Sequence, residues 1–187
     1  MLNLRNSGER YGIIAQALHW LIALLVLAQL ALGVYAAGLP LSLARLQWLS
    51  RHKSLGIAIL ALVALRLAWR LLDRPPALPD SMPTRERRAA LGMHRLLYAL
   101  LVAAPLAGWL LASASGLSVD WFGVLRVPDL ISKHPHWVAP LKLAHRALVV
   151  LLVLLLVPHV AAALRHALLR KDGVMHRMLP WKPGAPR

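Results

Sequence analysis

His145-Arg-Ala-Leu-Val-Val-Leu-Leu-Val-Leu-Leu-Leu-Val-Pro-His159 carries a histidine at each end of a run that is apolar after Arg146. The fourteen-residue interval is almost four helical turns, so at about 100° per residue the two side chains leave the helix roughly 40° apart. At about 1.5 Å per residue they are separated by roughly 21 Å along the axis, most of a hydrocarbon core of about 30 Å. One helix of this kind presents an imidazole near each membrane surface. It thereby offers an axial ligand to each of two stacked haems.

The composition agrees with a membrane setting. Of the 187 residues, 59% are hydrophobic, only 16% are charged, and the mean hydropathy is +0.59. Soluble domains are about 25% charged. There is no cysteine, which excludes disulfides, thiolate-held iron–sulfur clusters and the covalent attachment of a c-type haem. Any haem is therefore held non-covalently.

Four stretches are long enough to cross: Trp20 to Ala44, Ser54 to Leu72, Leu96 to Val119 and Ala147 to Leu164. They predict an all-α, four-helix transmembrane bundle as a single membrane domain over residues 1–187. Its approximate spans are 18–39, 52–73, 94–116 and 143–166, with an outer interfacial loop at 117–142. The first apolar run is longer than a signal-peptide core and shows no small-residue cleavage site, so it reads as a retained span. Pro40, Pro75 and Pro76 mark helix ends, while Pro105 and Pro158 fall inside spans.

The formal charge of +15 lies at the ends of these spans and reads as membrane anchoring, not as a nucleic-acid face. Of the 22 Lys and Arg residues, seven fall in the two loops opposite the termini: Arg45, Arg51, Lys53, Arg126, Lys133, Lys142 and Arg146. The other fifteen lie on the side of the termini. The positive-inside rule then places both termini in the cytoplasm.

The nine histidines sort by depth on this topology. His52 and His145 are expected to open the second and fourth helices at the outer side, where they form one pair. His159 lies deeper in the fourth helix and faces either His19 or His94 at the inner side, with His19 favoured. Imidazole suits haem iron, and bundle cores are the usual setting for such a cofactor. Ionisable groups inside spans are rare and usually functional. Gly56, one turn after His52, leaves room for a porphyrin to approach the backbone, and Gly33 and Gly108 offer the same or serve helix packing. Arg66, Arg70 and Arg95 sit at a depth suited to haem propionates or to ordinary anchoring. His166, two turns after His159, either lines a quinone pocket or is an interfacial histidine. None of the seven carboxylates lies mid-membrane, which disfavours a carboxylate proton relay.

The motifs His19-Trp20, His52-Lys53-Ser54-Leu55-Gly56, His94-Arg95-Leu96-Leu97-Tyr98 with Pro105, the paired histidines of the fourth helix, and the tail Arg170-Lys171-Asp172-Gly173 with Arg177-Met178-Leu179-Pro180 together resemble the bacterial cytochrome b561 family. The resemblance covers nearly the whole chain. It implies a four-helix bundle in the bacterial inner membrane with two bis-histidine b-type haems. His19 and His159 would hold the inner iron, and His52 and His145 the outer. Some members resembling this chain oxidise superoxide at the outer face and reduce ubiquinone in the membrane, and others are described simply as electron-transfer cytochromes. On the superoxide reading Lys53 and Arg146 help to steer the anion and His166 serves the quinone side. The alternative is a cytochrome b subunit that links a partner dehydrogenase, of hydrogenase or formate dehydrogenase type, to the quinone pool. A homo-oligomer is compatible with either.

Overall fold

The computed structural model describes residues 3–79 and 82–179. Asp80 and the C-terminal Lys182 and Arg187 lie outside the described residues. Four long helices follow one another: α1 (Ile13–Gly38), α2 (Leu43–Leu72), α3 (Thr84–Ala114) and α4 (Pro135–Leu164). All four are long and apolar enough to cross a membrane. A short hairpin, β1 (Val119–Trp121) with β2 (Leu125–Val127), joins α3 to α4. One wide, π-type turn and a half, Arg165–Arg170, continues α4 before a short 3-10 turn at Met175–Met178.

Local chemistry sets the helix ends. Ser42 caps α2, its hydroxyl accepting from the Arg45 amide at 3.3 Å. Pro135 occupies the first turn of α4, where a missing N–H costs nothing. The helices run further than the apolar stretches: α2 starts at Leu43 and α4 at Pro135. His52, His94 and His145 therefore lie well inside their helices and do not open them. The same extension makes Trp137, Pro140 and His136 helical and shortens the outer connection to residues 115–134. The physical reason is that residues such as Leu, Ala, Arg and Glu keep a helix going past the membrane edge.

The helices pack in series, α1 on α2, α2 on α3 and α3 on α4. Their shared apolar core is one layer: Ile22 and Val26 of α1, Ile59 and Val63 of α2, Leu97 and Leu100 of α3, and Leu152 of α4. Leu152 is the one buried residue of α4 and stands seven residues from both His145 and His159. The apolar layer thus separates two histidine layers.

The hairpin covers the outer end. Val119 and Val127 are buried against Ala112, with Ile57, Trp109 and Trp121 beside them. The turn from Trp121 to Val124 places both Phe122 (φ 51°) and Gly123 (φ 75°) in the left-handed region, the geometry that hairpin turns require. Ser54 of α2, only 1% exposed, donates to the Asp120 carbonyl at 3.0 Å and accepts from the Phe122 amide at 3.1 Å. At the other end the tail folds across the start of α1. The Trp20 indole donates to Met178 O (2.8 Å) and the Tyr11 amide to Arg177 O (3.2 Å).

Candidate functional site: two histidine pairs

The His52 and His145 rings face each other with centres 6.3 Å apart and planes at 84°. The His19 and His159 rings are also 6.3 Å apart, at 75°. An iron between two imidazoles, at a metal–nitrogen distance of roughly 2 Å and roughly 1.1 Å from each nitrogen to its ring centre, sets the ring centres about 6 Å apart. Both pairs have this separation, so the residues present fit a bis-histidine haem at each layer. His94 stands 5.3 Å from His159, which is shorter than such a sandwich allows. Its Nδ1 is engaged with the Ala90 carbonyl of its own helix at 2.7 Å. All four paired histidines are half-buried, whereas His94 is exposed.

Each pair brings two imidazoles together without a carboxylate, and His94 stands beside the inner one. No group of three or more metal-ligating side chains occurs among the described residues. Such a donor set suits a metal whose remaining bonds come from a macrocycle. One outer ring is also oriented from behind: His145 Nδ1 lies 2.9 Å from the Ala104 carbonyl, the kind of outer contact that fixes a metal-ligating histidine.

Of the three arginines expected near the inner pair, Arg66 and Arg70 cluster around one tyrosine, while Arg95 is exposed. Arg66 donates to the Tyr98 hydroxyl at 2.8 Å and to the Ala15 carbonyl at 2.7 Å. The Arg70 guanidinium lies over the Tyr98 ring, 5.8 Å from its centre. These side chains, with Tyr11, Trp69 and Asp73, line a cavity of about 20 Å³, room for one water. The Trp69 indole nitrogen is buried there without a partner. Burial pushes the Tyr11 phenol up from its ordinary value, against the opposing effect of Arg70 and Arg66.

The other candidates have distinct surroundings. Gly56 is buried, but its open face meets the amide of Gln29 at 3.1 Å from where a Cβ would stand. The Lys53 ammonium is held by the Leu117 and Ser118 carbonyls at 2.9 and 3.0 Å, which makes it a brace for the outer connection. Arg146 is exposed, one residue beyond His145. His166 Nδ1 is 2.6 Å from Asp172 Oδ2. Partial burial raises the Asp172 carboxyl, but its bonds to His166 and the Val174 amide outweigh this and hold it below the usual range. The left-handed backbone of Lys171 and Gly173 turns Asp172 back toward His166. Arg170 pairs with both oxygens of Glu86 at 2.5 and 2.6 Å.

Sequence reasoning passed over Gln29, the Ala104 carbonyl and Ser54. The signal for Gln29 was available, since an amide alone in the middle of an uncharged span calls for a partner.

Residues 10–181 match the family described as Prokaryotic cytochrome b561. Cytochrome b561 homolog 2 of Escherichia coli (strain K12) is 32% identical over 182 residues, 95% of each chain. Probable superoxide oxidase CybB of Yersinia pestis is 30% identical over 178 residues, 94% of this chain and 99% of its own. Cytochrome b561 homolog 1 of Escherichia coli (strain K12) is 29% identical over 164 residues, 87% of this chain and 93% of its own. With four membrane-length helices and matched imidazole pairs beside these likenesses, the chain belongs to the prokaryotic cytochrome b561 family, multi-pass membrane proteins that bind b-type haem and transfer electrons.

Proposed function

We propose that this protein takes electrons from superoxide at its outer face and delivers them to ubiquinone in the membrane. The observation that carries the transmembrane part is the equal 6.3 Å spacing of two histidine pairs, one in each half of α4. Two haems, when bound, supply one-electron centres on the two sides of the apolar layer. His52 and His145 hold the outer iron, and His19 and His159 the inner. Both termini are cytoplasmic, as the excess of Lys and Arg on their side supports.

Superoxide gives up one electron and leaves as dioxygen, so the outer surface needs no acid or base. It needs attraction, which Lys133 of the outer connection and Arg51, Lys142 and Arg146 within α2 and α4 supply. Lys53 adds its charge while bracing the outer connection. Two electrons and two protons convert ubiquinone to ubiquinol. His166 hands over protons at the inner end on this reading, a role that its contact with Asp172 supports. The likeness to a probable superoxide oxidase over nearly the full chain supports the choice of donor.

Stopped-flow mixing tests this reading. Superoxide should reduce the haems of the purified protein faster than those of a membrane cytochrome of unrelated function. High salt should erase much of that advantage through screening, and added ubiquinone should reoxidise the haems. Reduction no faster than in the bystander would sink superoxide as donor and point to a partner dehydrogenase.

A further inference from the structure

Three glycines around the outer pair share one arrangement. In a helix the carbonyl of residue i already accepts from the amide of residue i+4, and a side chain at i+4 crowds that carbonyl. On α3, Ala104 O accepts from the His145 ring, and the residue four further on is Gly108. A Cβ on Gly108 would stand 3.1 Å from His145 Cε1 and 3.3 Å from its Nδ1. On α1, a Cβ on Gly33 would stand 2.9 Å from His52 Cε1 and 3.3 Å from its Nδ1. The carbonyl four residues before Gly33 belongs to Gln29. His52 Nδ1 is buried with no hydrogen-bond partner, and the Gln29 backbone is the polar main-chain group beside it. On α2 the order is reversed: the Gln29 amide donates to the His52 carbonyl at 2.8 Å, and Gly56, four residues on, clears the way. Each outer ring therefore turns the same Cε1–Nδ1 edge to a glycine of a flanking helix.

The inner pair is built differently. Among the described residues neither the His19 nor the His159 ring has a hydrogen-bonded carbonyl behind it. The Arg66 guanidinium sits instead on Ala15 O, one turn before His19. A ligand imidazole that donates its second N–H to a carbonyl becomes more basic and stabilises the oxidised iron. A fixed cation stabilises the state that carries one more electron.

We propose that Gly33, Gly56 and Gly108, each with the carbonyl four residues before it, are positioning residues that orient the outer imidazole pair and make it the lower-potential of the two centres, so that an electron entering at the outer face runs downhill to the inner one. This rests on the bis-histidine reading of both pairs.

The test is a redox titration with low-spin ferric EPR, whose signal depends on the angle between the two imidazole planes. His52→Ala first identifies the outer component, which should be the lower of two midpoints. Gly33→Ala and Gly108→Ala should then shift the EPR signal of that component and raise its midpoint, or abolish it, and leave the inner component in place. Gly38→Ala and Gly92→Ala, where a Cβ meets nothing within 4 Å, should change neither. Where an alanine prevents assembly, Gln29→Met keeps the volume, removes the amide and should shift the same signal. Arg66→Gln should lower the inner midpoint only. Unchanged outer signals in the Gly33, Gly108 and Gln29 variants would overturn the proposal, as would a lower-potential component that survives His52→Ala. If His52→Ala and His145→Ala lose no haem, the bis-histidine reading itself falls, a result separate from failure of the glycine variants alone.

Discussion

Purified His52→Ala and His145→Ala proteins are each expected to keep one haem of two, and His19→Ala and His159→Ala to keep the other. The ratio of haem to protein should fall from about 2 to about 1 in every case, because a non-covalent b-type haem depends on its axial bonds and on its fitted cavity. Difference spectra should split the four variants into two classes, paired as the rings pair. Electron transfer across the membrane should be lost in all four, since either missing centre breaks the path over roughly 21 Å of helix. His94→Ala should retain both haems, because its ring is too close to His159 for an iron between them and is committed to Ala90. Loss of a haem in His94→Ala with retention in His19→Ala would reverse the inner assignment.

The second large effect is expected at Ser54, far from any redox chemistry. Its hydroxyl serves the Asp120 carbonyl and the Phe122 amide, and it is almost fully buried. Ser54→Ala leaves both main-chain groups unpaired at the base of the hairpin, a loss of about 2 kcal/mol. The buried Val119 and Val127 and the Lys53 brace remain, so the loss is local to the hairpin. Amide exchange across residues 119–127 should accelerate roughly 30-fold, the rate equivalent of that free energy, while the interior of α2 stays protected. Exchange at the wild-type rate would show that Val119, Val127 and the Lys53 brace hold the hairpin without Ser54.

These two cases also mark what could be read from the chain. The number of helices, the break at Pro40 and the equivalence of His145 and His159 follow from apolar length and helical period, which are local properties. The pairing of His52 with His145 was legible because depth in a bundle is fixed by topology. The choice between His19 and His94 was not, since it turns on about 1 Å of ring separation that no spacing encodes. Helix ends were misplaced for a different reason: hydrophobicity reports where lipid stops, and the helices do not stop there. The hairpin was hidden because three-residue strands carry too short an alternation to read, even with Phe122-Gly123 between them. Nearness to His52 makes Lys53 and Gly56 read as substrate-steering and cofactor residues. Lys53, next to it, turns away and meets the outer connection, whereas Gly56, one turn on and on the same face, meets the Gln29 amide of α1.

The folded tail has a consequence in time. Its hydrogen bonds to the start of α1 join residues far apart in sequence, Trp20 to Met178 and Arg10 to Leu179. A ribosome makes α1 first and these tail residues near the end of the stretch described. The end of the bundle next to His19 and His159 therefore stays open through most of synthesis and closes only when the tail emerges. The outer end has no such delay, because Ser54, Lys53 and the hairpin they hold are all made before α4. The two histidine layers thus differ in when their surroundings are completed, the outer cover before α4 is made and the inner cover after it.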